Sequence, residues 1–265
     1  MRIKQSVCYP MVKPAEVPLS TFVPKVAEMG YAAIEMWTRD KHFAEAVALA
    51  RKHGLAVATM NGHADLTVGL NDPTQHDRIE AELRESIDIA ADLGIPGVIC
   101  FSGSRRQAVG STAGVSEETS IAITAEGLRR VAPYAEAKGV NLNLELLNTL
   151  VDHPGYECNH TTWGVAVCEQ VNSPNVKLLF DIYHMQIMEG NVISNIRDNI
   201  RWIGHFHTAG VPGRRDFDDT QELNYRGICR AIAETGYNLY VGHEFRPKGD
   251  VYDALARAFD VCNEG

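Results

Sequence analysis

Strand-like and helix-like segments alternate eight times along the chain, and no other feature narrows its possible folds as far. Short, largely apolar runs of strand length stand at residues 3–9, 32–36, 55–60, 97–101, 141–145, 176–181, 203–207 and 239–244. Helical signals follow each of them. Ser20 is placed to cap a helix that stops at Met29 and Gly30. Asp72 and Pro73 open a long helix to Leu93, Ser116 caps one ending near Lys138 and Gly139, and residues 250–262 form the closing helix. The segment after Asp181 reads as one helix to about Arg201. Strands separated by helices run parallel through right-handed crossovers, and eight such units favour closure into a barrel. The 265 residues suit one (β/α)8 barrel, which typically needs about 250. With no linker-like break, the expectation is a single α/β TIM-barrel catalytic domain over residues 1–265. A doubly wound open sheet is the runner-up. No G-x-G-x-x-G follows the first strand and no phosphate-binding G-x-x-x-x-G-K-[ST] occurs, which weakens nucleotide-binding readings.

Charge removes other classes. A net charge of −9 gives no global positive field to draw the chain to nucleic acid or to an anionic membrane surface. There is no apolar run long enough to span a bilayer and no signal-like apolar core near the N-terminus, so a cytoplasmic protein is expected. The six cysteines show no C-x-x-C spacing and read as reduced thiols.

The connections are asymmetric. Those leading from helix to strand are short and carry Gly30, Gly54, Gly94, Gly139 and Gly236, whereas those leading from strand to helix are long and polar. Function is therefore expected at the C-terminal ends of the strands. Four successive strands there end in Glu145, Asp181, His207 and Glu244. One carboxylate in such a place is ordinarily a helix cap. Four in succession point to a shared ion, and three carboxylates with one imidazole suit a single Mg²⁺, Mn²⁺ or Co²⁺ better than a structural zinc.

Around these four stand further candidates. His205 shares a strand face with His207 and reads as a hydrogen-bonded core histidine one layer down, and His243 reads as structural. His184, three residues after Asp181, is placed to contact a substrate. Arg214 or Arg215 could form a bidentate pair with a substrate carboxylate, and Arg105 and Arg106 raise the same question. Glu35 and His63 are candidates to line a substrate pocket. Glu145 and Glu244 could move a carbon-bound proton next to a chelated α-hydroxycarbonyl through an enediolate. Return of the proton to the neighbouring carbon is aldose–ketose isomerisation; return to the opposite face is epimerisation. Both stay open on the residues alone.

The segments Leu144-Glu145-Leu146-Leu147-Asn148 with Val151-Asp152-His153-Pro154-Gly155-Tyr156, Phe180-Asp181-Ile182-Tyr183-His184-Met185-Gln186, His205-Phe206-His207-Thr208-Ala209-Gly210-Val211-Pro212-Gly213-Arg214 and Gly242-His243-Glu244-Phe245-Arg246-Pro247 resemble the hydroxypyruvate isomerase family. That family lies within the xylose-isomerase-like TIM barrels, a group that also holds ketose 3-epimerases and endonuclease IV. The resemblance spans about half the chain and is looser before it, mainly at residues 30–35. It implies interconversion of hydroxypyruvate and tartronate semialdehyde. Glu145 and Glu244 would transfer the proton, Asp181 and His207 would complete the metal site, and His184 and Arg214 would contact substrate. The loops at residues 61–63 and 100–106 depart from the family pattern, which keeps 2-oxo-tetronates and larger sugars open as substrates. Outside isomerases the rivals are a DNA-repair barrel, which the acidic balance opposes, and a catalytically silent scaffold, which the two glutamates oppose. The expected partner is a small sugar or hydroxy-keto acid; self-association is left open.

Overall fold

The protein is described by a computed structural model covering residues 3–105, 114 and 116–263; Arg106 lies outside the described residues. In chain order the elements are β1 (Lys4–Cys8), α1 (Tyr9–Val12), α2 (Leu19–Glu28), β2 (Ala33–Glu35), α3 (Phe43–Lys52), β3 (Ala56–Val57), β4 (Met60–Asn61) and α4 (His76–Leu93). Next come β5 (Gly97–Cys100), α5 (Glu117–Lys138), β6 (Asn141–Glu145), α6 (Thr161–Val171), β7 (Val176–Asp181), α7 (Ile182–Met188) and α8 (Val192–Asn199). The chain finishes with β8 (Ile203–Thr208), α9 (Tyr225–Glu234), β9 (Tyr240–His243) and α10 (Val251–Cys262).

Two elements differ from the sequence expectation, each for a local reason. The third strand is divided into β3 and β4. Ala58 N–H still donates to Ile34 O, but two residues past Met60 the Gly62 N–H donates to Ile99 O instead, so the chain changes neighbour along its length. The helix expected after Asp181 is two helices. Gly190 and Asn191 between them have φ of 59° and 48°, a left-handed backbone that a helix cannot continue through.

The chain divides into two compact units, each discontinuous in sequence. One takes residues 1–60, 191–200 and 205–265. Here β1 lies parallel between β2 and β9, with Cys8 in register with Glu35 and Val7 with His243. β9 in turn runs parallel to β8, His207 facing Gly242. Helices α2 and α3 pack together, and Phe22, Val26, Ile34 and Leu255 are fully buried in its core. The other unit takes residues 61–190 and 201–204. β6 lies parallel between β5 and β7, and α4, α5 and α6 pack in sequence, with Leu128, Leu142, Leu144 and Leu178 buried.

Strands covered on both faces normally read as unbroken apolar runs. β8, entirely buried, instead spells Ile-Gly-His-Phe-His-Thr. Buried polar groups persist only where partners satisfy them, so the two imidazoles mark where chemistry sits. The strand ends fall where the sequence puts the candidate ligands. β6 and β7 stop at Glu145 and Asp181, β8 runs one residue beyond His207, and Glu244 directly follows β9.

Candidate active site

In the first unit the candidates converge on two carboxylates. Glu35, at the end of β2 and 1% exposed, accepts hydrogen bonds from Ser6 Oγ, from His205 Nε2 at 3.0 Å and from His207 Nε2 at 2.9 Å. Burial works to raise its pKa, but the two imidazoles outweigh it and hold the carboxyl well below the usual carboxylate range. Gly242 on β9 makes room for this carboxylate: a Cβ there would sit 2.1 Å from Glu35 Oε1. With its Nε2 proton on Glu35, His207 turns Nδ1 toward Glu244 Oε2, 3.3 Å away.

Glu244 is the second focus. Its Oε1 accepts from the Trp37 indole at 2.9 Å and, more loosely, from the Cys8 thiol at 3.6 Å, while Oε2 accepts from Arg214 Nη2. Burial pushes its pKa up; His207 and Arg214 more than offset this and leave the carboxyl well below its ordinary value. The protein thus keeps a fully buried glutamate ionised. Arg214 reaches it from a constrained loop, with φ of 56° at Arg214 and its carbonyl accepting from Arg246 N–H at 2.8 Å. Of the paired arginines Arg214 is buried and Arg215 exposed. His243 is structural: Nε2 donates to Gln5 Oε1 at 2.9 Å and Nδ1 accepts from Thr208 Oγ1 at 2.8 Å.

In the second unit Glu145 and Asp181 close adjacent parallel strands, and each offers a carboxylate oxygen within 4.8 Å of the other. Asp181 also caps α7, its Oδ1 accepting from the backbone N–H of Tyr183 at 2.8 Å and of His184 at 3.3 Å. That leaves Oδ2 3.5 Å from His184 Nε2. His184 is fully buried and flanked by the rings of His153 and Tyr183. His63 also belongs to this unit. Its Nε2 accepts from Phe101 N–H at 2.9 Å, its ring packs edge-on to Phe101, and burial pushes its pKa down to about 4. Arg105 is exposed and donates to the buried Glu157 at 2.8 Å.

Four contributors were not singled out in the sequence: Ser6, Cys8, Trp37 and Asn148. Ser6 and Cys8 reach Glu35 and Glu244 across the β1–β2 and β1–β9 pairings, and Trp37, two residues past β2, reaches Glu244 just past β9, contacts that no local spacing encodes. Asn148 does sit in a conspicuous motif, three residues after Glu145, but nothing local says which histidine it meets.

Buried carboxylates and imidazoles gathered where parallel strands end define an α/β enzyme able to hold a metal ion; one such cluster is Glu35, His205 and His207. The chain belongs to the xylose isomerase-like TIM barrel family, whose pattern it matches over residues 23–262. It is 29% identical over 247 residues to 2-oxo-tetronate isomerase of Haemophilus influenzae, covering 91% of this chain and 92% of that one. It is 30% identical over 176 residues to hydroxypyruvate isomerase of Escherichia coli, covering 66% and 65%. Among solved structures, AP endonuclease family 2 from Brucella melitensis superposes with a TM-score of 0.82 at 25% identity, over 99% of this chain and 100% of that one. The fold is therefore the TIM barrel anticipated from the eightfold alternation, and the chain is an isomerase-type enzyme by its relatives. Among the described residues no helix is long and apolar enough to cross a membrane.

Proposed function

We propose that the protein is a metal-assisted aldose–ketose isomerase of a small hydroxy-keto acid, with hydroxypyruvate and tartronate semialdehyde as the first pair to test. The observation that carries the reading is Glu244, buried yet held ionised by His207, Arg214 and Trp37 at the end of a barrel strand. In a TIM barrel all strand ends of that kind surround one mouth. We assign Glu145, Asp181, His207 and Glu244, all buried, as the holders of one divalent cation, Mg²⁺, Mn²⁺ or Co²⁺. The donor set fits. It is hard oxygen and nitrogen, and His207 has its second nitrogen on the Glu35 carboxylate, as metal-binding histidines do.

Bound there, the cation supplies Lewis-acid polarisation of the substrate's carbonyl and hydroxyl oxygens. Glu145 and Glu244 move the proton. One takes it from C3 of hydroxypyruvate, and the electron pair becomes the C2–C3 double bond of an enediolate. A proton returns to C2, the O3 hydroxyl proton passes to O2, and C3 becomes the aldehyde. His184 and Arg214 contact substrate oxygens. Glu35, committed to its two histidine partners, supports the site from behind through His207.

The test is to incubate the metal-loaded protein in D₂O with 2-keto-3-hydroxy acids of three and four carbons and with neutral ketoses, following products by NMR. Deuterium at the carbon next to the carbonyl, with an isomer peak, is expected for the acids. Exchange into neutral ketoses with inversion identifies an epimerase instead, and salt-sensitive binding to abasic duplex DNA without exchange favours a repair enzyme. Arg214→Ala is expected to raise KM for the acid substrate about tenfold or more, the value of a charged hydrogen bond, and to leave KM for neutral ketoses nearly unchanged. Because Glu244 loses a cationic partner, kcat falls for both classes. An unchanged KM for hydroxypyruvate removes Arg214 from substrate recognition.

A further inference from the structure

The loop after β6 contains an asparagine whose hydrogen bonds leave it no freedom. Asn148 Oδ1 accepts from the backbone N–H of Val151 at 2.9 Å and of Asp152 at 3.0 Å. Backbone N–H groups are donors without ambiguity, so the amide cannot be flipped and its NH₂ must face the other way. There Nδ2 donates to Asp152 Oδ2 and to His184 Nδ1, each at 2.6 Å. The Asn148 backbone N–H donates to the same His184 nitrogen at 3.1 Å. Tyr183 O–H donates to Asp152 Oδ2 at 2.9 Å and holds that carboxylate in place. His184 Nδ1 therefore faces two donors and can only accept. A proton on it would point into two N–H groups in a fully buried position.

The imidazole's proton must then be on Nε2, the nitrogen 3.5 Å from Asp181 Oδ2 and so on the side of the proposed ligand. We propose that Asn148 is a positioning residue that fixes His184 as a neutral imidazole protonated on Nε2, making it a hydrogen-bond donor to a substrate oxygen and not a proton-transfer base. This rests on the isomerase reading and deepens it. The lone pair that a base needs is turned away from the substrate, so proton movement at carbon falls to Glu145 and Glu244. A neutral imidazole that polarises a carbonyl and stabilises an enediolate oxygen is an established role for histidine in isomerase chemistry. Asp152, from the 151–156 motif that metal binding does not use, and Tyr183, two residues after Asp181, acquire a purpose as the outer end of this relay.

The test has a spectroscopic and a kinetic arm. Long-range ¹H–¹⁵N correlation spectra of the ¹⁵N-labelled full chain loaded with Mg²⁺ at pH 7.5, with His184 assigned by its loss in His184→Gln, should show Nδ1 unprotonated and Nε2 protonated. In Asn148→Asp the side chain still accepts from the backbone of Val151 and Asp152, and the oxygen that replaces Nδ2 lies too close to Asp152 for both carboxylates to ionise, so it takes a shared proton from Asp152 and accepts at His184. The Nδ1 proton should then appear; circular dichroism checks that this variant folds. A His184 that is Nδ1-protonated in the unaltered protein, or a spectrum unmoved by Asn148→Asp, overturns the proposal. In the kinetic arm His184→Gln, which keeps an N–H donor near the Nε2 position, should retain more than about a tenth of kcat. His184→Leu, without a donor, should lose about 10²–10³-fold, the effect of removing one donor to a developing oxyanion. Equal losses in both variants assign His184 as a base and overturn the proposal. The spectra need no substrate. A protein with no isomerase activity but the stated tautomer refutes the functional reading alone.

Discussion

Glu244→Gln is expected to lower kcat for deuterium exchange about 10²–10⁴-fold, the usual contribution of a positioned general base. Two effects are bound up in this residue and can be separated. As proposed ligand, Glu244 contributes charge to the cation site, so metal affinity measured by competition with a chelator should fall. As base it must lose its proton-accepting oxygen, and that loss persists when the variant is saturated with metal. The substitution is also not silent structurally. The carboxylate accepts from Trp37 on one oxygen and from Arg214 on the other. An amide has one oxygen, so its NH₂ must face one of these donors and leave it without an acceptor, at a cost of about 1–3 kcal/mol. A matching loss of stability is therefore expected and can be read by chemical denaturation. The decisive outcome is kcat at saturating metal. If it returns to the unaltered level there, Glu244 is a ligand only, and the proton-transfer role passes to Glu145 alone.

The sequence made the barrel legible because alternation between a period of two and a period near four survives without any knowledge of tertiary contacts. The ligand candidates were legible for a related reason. Glu145, Asp181, His207 and Glu244 each interrupt an apolar run at the point where a strand must stop, and only position along the strand is needed to see it. The Glu35 environment was not legible. Its carboxylate reads as an open pocket group until Ser6, His205 and His207 close around it, and those partners are 29 to 172 positions away in sequence. Trp37 on Glu244 is hidden in the same way, at a separation of 207. The division of the helix after Asp181 could have been read, since Gly190 followed by Asn191 is a stop signal. The split of the third strand could not, because it depends on which neighbours the chain meets.

Stability should fall steeply between pH 6.5 and 4.5, by about 1.4 kcal/mol per pH unit for each histidine that is buried neutral. His243 and His63 are two such groups. Burial pushes the pKa of His243 down to about 3 even though Glu35 works to raise it. Burial likewise takes His63 down to about 4, with Glu82 and Asp65 opposing and Arg78 assisting. In the unfolded chain both titrate near 6.5. Below that pH the unfolded state binds protons that the folded state refuses, so the folded state loses ground until each folded pKa is reached. Together they amount to about 2.7 kcal/mol per pH unit, or roughly 5 kcal/mol across the window, against a typical total stability of 5–15 kcal/mol. The depressed carboxylates Glu35 and Glu244 act with the same sign but below about pH 4.5, where unfolded glutamates begin to protonate, so the two effects occupy different ranges. Urea denaturation at half-unit pH steps, with chelator present to remove metal linkage, gives the slope. His63→Gln can still accept from Phe101 N–H but cannot titrate, and its stability should vary less with pH by about 1.4 kcal/mol per unit. The difference between the two proteins isolates one group whatever the others do. Parallel curves would mean that His63 takes up its proton in the folded state, and that the polar cluster around Phe101 opens to solvent well before the chain unfolds.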